Sequence, residues 1–68
     1  MTIPQFIEAI STPRTLMEIA IHTREQPAIV SRIIKESFKD PHAMVGSFYG
    51  KKIFRVKNGT SVAYLYAK

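Results

Sequence analysis

Apolar positions change their spacing along these 68 residues, and the changes mark the elements. Ile3, Phe6, Ile7 and Ile10 recur at the three-and-four interval of one helical face. Thr2 followed by Gln5 has the form of a capping box. Pro4 is tolerated in the first turn, where an N–H has no intrahelical partner to lose. A second helical stretch over 13–22 sets Leu16, Met17, Ile19, Ala20 and Ile21 on a broad apolar arc, opposite Arg14, Glu18 and His22. Thr12 is its expected N-cap and Pro13 its first helical residue. Residues 23–25 read as a turn. A third helix over 27–39 is capped by Gln26 or Glu25 and stopped at Asp40-Pro41. Its wheel divides in two: Ile29, Val30, Ile33, Ile34, Ser37 and Phe38 on one half, Ala28, Ser31, Arg32, Lys35, Glu36 and Lys39 on the other.

Residues 41–50 contain Gly46 and Gly50 and read as a loop, or as a loop with a short strand. From Lys51 the period becomes two. Strands over 51–57 and 60–66, joined by Asn58-Gly59 in a type I′ turn, are expected. That register pairs Lys57 with Thr60, Arg55 with Val62, Ile53 with Tyr64 and Lys51 with Tyr66. Phe54, Val56, Ala63 and Leu65 form the expected core side. Tyr49, Ile53, Val62, Tyr64 and Tyr66 then line an apolar sheet face, a surface for a protein partner or self-association. Three other readings of that face stay open: cover by the first helix or the chain end, a reversal of the two faces, or stacking of the tyrosines on unpaired bases.

The element order predicts an α+β domain over 1–68, a three-helix core with a C-terminal β-hairpin. A chain this short buries only about 60% of its unfolded surface, so dimerisation or a partner is an expected further source of stability. Cysteine is absent, which removes disulfides and thiolate metal sites. His22 and His42 have no paired carboxylates at ligand spacing, so no metal or cofactor is expected. No apolar run reaches the length of a membrane span or a signal peptide's apolar segment, and a cytoplasmic protein without a membrane partner is the expectation. Asn58-Gly59-Thr60 matches a glycosylation pattern, but a hairpin turn accounts for it more simply. No nucleophile–base set, phosphate-binding glycine loop or carboxylate pair occurs, which argues against an enzyme.

The formal net charge of +5 is unevenly placed. Residues 1–40 balance Arg14, Arg24, Arg32, Lys35 and Lys39 against Glu8, Glu18, Glu25, Glu36 and Asp40. Residues 41–68 carry Lys51, Lys52, Arg55, Lys57 and Lys68 and no acid. Such a balance suits a polyanion, an anionic membrane or an acidic protein, and is also met on plain solvated surfaces.

Helix, helix, turn, helix and hairpin together resemble the winged helix-turn-helix family of DNA-binding domains, over almost the whole chain. Residues 16–20 look like that family's first helix, with Ile19 and Ala20 at its apolar and small positions. Residues 29–35 look like its recognition helix, with Val30 and Ile33 at packing positions, and the hairpin looks like its wing. Arg24 stands where the family often has a turn glycine, and Glu25 where it often has an apolar residue. The resemblance implies a sequence-specific, double-stranded DNA-binding transcriptional regulator, comparable in size to phage or plasmid repressors and excisionase-like factors, acting alone or as a homodimer. It implies that the third helix enters the major groove. Gln26, Ala28, Ser31, Arg32 and Lys35 would then meet DNA, with Gln26 suited to adenine, Arg32 to guanine and Ala28 to a thymine methyl. Lys35 and Lys39 suit phosphates, and Lys51, Lys52, Arg55 and Lys57 suit phosphates or the minor groove. The alternative is the same fold used as a protein-interaction module, binding or inhibiting a partner through the tyrosine-rich face. The DNA reading requires the cations of the third helix and of the hairpin to share one side of the molecule.

Overall fold

Capping chemistry sets where the first two helices begin. In a computed structural model, which describes residues 1–67 with the Asn58 side chain excepted, α1 spans Ile3–Ala9. Lys68 and the Asn58 side chain of the glycosylation pattern lie outside the described residues. The Gln5 N–H donates to Thr2 Oγ1 at 3.3 Å, and the Thr2 N–H donates to Gln5 Oε1 at 2.8 Å, which closes the expected capping box. The second helix starts later than its sequence suggests. Arg14–Thr15 is a short strand, β1, and α2 spans Leu16–Thr23. Its cap is Thr15, whose hydroxyl accepts from the Glu18 N–H at 3.2 Å while Glu18 Oε1 accepts from the Thr15 N–H at 2.8 Å. Thr12 loses this role because residues 14 and 15 are extended against the sheet, and because only Thr15 has a glutamate three residues on.

Arg24 ends α2 in the left-handed region, at φ 57°. The third helix, α3, spans Pro27–Ser37, with Gln26 at its N-cap. It stops two residues short of the expected end. Phe38 is extended (φ −110°, ψ 108°), and its ring is turned into the core. Val30, Ile34 and Ser37 are buried, whereas Ala28, Arg32, Lys35 and Glu36 are exposed, so the two halves of the wheel are as patterned. On α2, Ile19 and Ala20 are buried but Met17 and Ile21 stand in solvent, 55% and 73% exposed, so the apolar arc is narrower than expected.

Residues 41–50 yield the edge strand β2, Val45–Phe48. It is followed by β3, Lys51–Asn58, and β4, Ser61–Tyr66. The four strands form one antiparallel sheet in the order β1-β4-β3-β2. The β3–β4 register is shifted from the expected one. Asn58 pairs with Ser61, so Gly59 and Thr60 make the turn. Gly59 takes φ 67° as its first central residue, the place where a II′ hairpin turn needs glycine. Arg55 pairs with Tyr64 and Ile53 with Tyr66. The shift of two in pairing sum leaves the membership of each face unchanged.

The orientation of the two faces is reversed relative to the expectation. Ile53 is fully buried in the main core with Phe6, Ile10, Ile19, Val30, Phe38 and Phe48, and Tyr64 and Tyr66 pack against it. Phe54, Val56 and Leu65 lie on the outer face and are half-buried, whereas Ala63 of the same set is fully buried, as expected; beside Phe54, Val45 is 51% exposed. Three long-range contacts hold this arrangement. Gly46 backs directly onto the end of α3, Phe48 meets the Phe6 ring at 4.7 Å, and the Tyr66 N–H donates to the Ile10 carbonyl at 2.7 Å.

Candidate functional site

The end of α3 borders a surface cleft. Because Phe38 leaves the helix and turns inward, this cleft of about 550 Å³ opens between α3 and the β3–β4 pair. Its floor is apolar, made by Leu16, Ile34, Phe38, Val62 and Tyr64. Lys35, Lys39 and Arg55 supply three cations and Ser31 a hydroxyl, and no acidic side chain among the described residues lines it.

Two smaller depressions adjoin it. One is formed by Ala28, Ser31, Arg32, Lys35 and Glu36, and shares Ser31 and Lys35 with the cleft. The other includes Pro41, His42, Met44, Val56 and Lys57, and shares Pro41, Arg55 and Val62 with it. A continuous surface therefore runs from Ala28 and Arg32 on α3 to Lys57 near the β3–β4 turn. Gln26 stands exposed at the N-terminal end of the same helix.

Arg55 is the best-positioned cation on this surface. Its guanidinium carbon lies 4.4 Å from the Phe38 ring centroid and 5.9 Å from that of Tyr64, within the range of cation–π attraction. Its Nη1 donates to the Pro41 carbonyl. Nε is buried without a partner. The guanidinium is thus seated over an aromatic platform, and donors not used by Pro41 remain for an anion.

Lys51 and Lys52 are not brought to this cleft. They begin β3, at the opposite end from Lys57, and six residue steps along the strand carry Lys51 about 20 Å from Lys57. Lys52 pairs with Ser47 on the outer-face register. The predicted basic set therefore divides into Arg32, Lys35, Lys39, Arg55 and Lys57 along one surface, and Lys51 with Lys52 elsewhere.

The expected tyrosine-rich interface is also revised. Ile53 is in the core, and Tyr64 and Tyr66 are half-buried against it, Tyr64 reaching the surface in the cleft, so these three form no shared exposed face. Val62 (39%) and Tyr49 (74%) remain exposed, at separate places. The open apolar face is instead Val45, Phe54, Val56 and Leu65. Both sets of alternating residues are apolar, so periodicity could not choose between them. Sequence reasoning also missed Leu16, Phe38 and Pro41 as parts of the cleft. The aromatic residue just before Lys39-Asp40-Pro41 was the available signal.

Elsewhere, His22 Nε2 and Glu8 Oε2 lie 2.8 Å apart, joining α2 to α1. The Glu25 carboxylate meets the Met1 α-ammonium at 2.8 Å. That hydrogen bond, the charge of the same ammonium and the Gln26 N–H hold the Glu25 carboxyl below its ordinary value. No group of three His, Cys, Asp or Glu side chains among the described residues could hold a metal ion. Among the described residues, no helix is long and apolar enough to cross a membrane. The chain matches no family model, no curated protein and no solved structure with which it was compared.

Proposed function

We propose that the protein is a winged helix-turn-helix regulator that binds duplex DNA, with α3 in the major groove and the β3–β4 hairpin as the wing. One observation carries the reading. The exposed half of α3 and the basic residues of β3 border one continuous surface, whose central cleft presents Lys35, Lys39 and Arg55 and no acid among the described residues. Lys35, Lys39, Arg55 and Lys57 serve as phosphate contacts, and Gln26, Ala28 and Arg32 as base-edge contacts. Lys51 and Lys52 have no part in this docking.

The test is fluorescence anisotropy on duplex DNA across a salt series. Four phosphate contacts give log K a slope of about −3.6 against log salt. Lys39→Gln should make that slope shallower by about 0.9, and Lys52→Gln should leave it unchanged. Arg32→Ala should cost about 1–3 kcal/mol on a selected site and relax its base preference. Absence of binding at low salt, or equal effects of Lys39→Gln and Lys52→Gln, would refute the proposal.

The outer sheet face supports a second reading, a protein-interaction module. Its surface is Val45, Phe54, Val56 and Leu65, not the tyrosines. Val45→Lys and Phe54→Lys should then release a partner without altering DNA affinity.

A further inference from the structure

The β2–β3 hairpin contains a local conflict between residue type and backbone. Tyr49 and Gly50 are the two central residues of its turn, at φ 51° and φ 78°, and Phe48 pairs with Lys51 across it. A two-residue turn with both central residues at positive φ is served by Asn-Gly or Gly-Gly. A tyrosine there sets its Cβ against the backbone. Burial does not compensate, because Tyr49 is 74% exposed. Strain of this kind persists where surrounding structure enforces it, and it gathers at ligand contacts.

The ring is nevertheless supported. It stands edge-on to Phe48, with centroids 4.8 Å apart and planes at 85°. Phe48 in turn rests on Phe6 of the core, at 4.7 Å. An exposed aromatic surface is therefore mounted on the core through a second ring. Lys51 and Lys52 follow at once, both exposed and on opposite faces of the strand, one to either side of the hairpin tip, and residues 45–52 contain no acid. Glu36 shares the small depression beside the ring, with Ile33 and Ser37.

We propose that this hairpin tip is a contact for an unpaired nucleotide: a nucleobase stacks on Tyr49, and Lys51 and Lys52 take the flanking phosphates. An exposed π-face followed in sequence by two exposed cations is the chemistry that holds single strands, and stacking is tolerant of base identity; Glu36, in the depression beside the ring, opposes a phosphate there. The site lies at the far end of β3 from Lys57 and does not depend on the cleft. It gives a role to the two lysines that duplex docking leaves idle.

Stability and binding should move in opposite directions in one variant. Tyr49→Asn supplies the residue the turn prefers, so the melting temperature should rise by several degrees. Affinity for a single-stranded oligothymidylate should fall about tenfold, the loss expected for one stacked base. Tyr49→Phe should keep both properties near those of the parent. Glu36→Gln should strengthen binding, and a Lys51→Gln, Lys52→Gln pair should weaken it. Amide shifts on titration should centre on residues 48–52. A lower melting temperature for Tyr49→Asn would identify the ring as a packing element and overturn the proposal. So would unchanged oligothymidylate affinity in Tyr49→Asn or in the paired lysine variant. A chain that binds oligothymidylate through Tyr49 but no duplex would retain this site and refute the duplex reading. Duplex binding with no response at residues 48–52 to the single strand would do the converse.

Discussion

Gly46→Ala tests the contact that seats the sheet on α3. A Cβ at position 46 would lie 2.7 Å from the Ser37 carbonyl oxygen, 2.8 Å from Phe38 Cδ1 and 2.9 Å from Phe38 Cε1. The first obstacle is backbone at the last residue of α3, and the second is a buried ring, so neither can swing aside as a flexible side chain would. Relief requires the end of α3 or β2 to shift. Overpacking at such a site costs about 1–3 kcal/mol, and the rigid neighbours place this case toward the upper end. A domain of this length has a total stability of about 3–10 kcal/mol. The variant should therefore lose a substantial share of it, with the melting temperature falling by about 4–8 °C for each kcal/mol. Phe38 also carries Arg55, so duplex affinity should fall with stability. Urea denaturation followed by circular dichroism measures the first effect, and anisotropy in the absence of urea the second. Gly50→Ala is the control: nothing lies within 4 Å of its Cβ, and only its φ of 78° resists substitution. A Gly46→Ala protein within about 0.5 kcal/mol of the parent, the scatter of ordinary surface changes, would refute the close-approach argument.

Three further outcomes follow from local chemistry. Arg24→Gly removes a Cβ from a left-handed C-cap and should stabilise by about 0.5–1 kcal/mol after the added freedom of the unfolded chain is counted, measured as a raised urea midpoint. Thr15→Ala should cost about 1 kcal/mol by opening the capping box of α2, whereas Thr12→Ala should have little effect; equal losses would contradict the assigned start of the helix. Because the folded Glu25 carboxyl is held below 4.5, its contribution is complete above that value and is lost as pH falls through the lower folded value. The melting-temperature difference between parent and Glu25→Gln should shrink with acidification over that window, and a gap independent of pH would exclude the Met1 pairing as its cause.

The helices were legible because their signals are local. Thr2 and Gln5 sit within one turn of each other, and the division of α3 into Val30 and Ile34 against Arg32 and Lys35 follows from 3.6 residues per turn. The start of α2 was misplaced by a competition between two threonines that the pairing of residues 14 and 15 with β4 decides. β2 was poorly marked because Val45-Gly46-Ser47-Phe48 has one weak alternation and a glycine that reads as a breaker. In the folded chain that glycine is what lets the strand lie beneath α3. Of the candidate site, the exposed helix residues were identifiable, but the floor gathers residues from Leu16 to Tyr64, and the Phe38 ring that seats Arg55 stands 17 positions before it.

A period of two assigns Ile53, Arg55, Tyr64 and Tyr66 to one side of a sheet whatever surrounds it, since alternation is a property of the extended backbone. Which side turns inward is a different matter. Phe54, Val56 and Leu65 are as apolar as their counterparts, so burial energy alone ranks the two faces about equally. The choice falls to contacts between distant segments: Gly46 under α3, Phe48 on Phe6, and the Tyr66 amide on the Ile10 carbonyl. The same contacts put Arg55 beside Lys35 and leave Lys51 and Lys52 with Tyr49 at the other end of the strand.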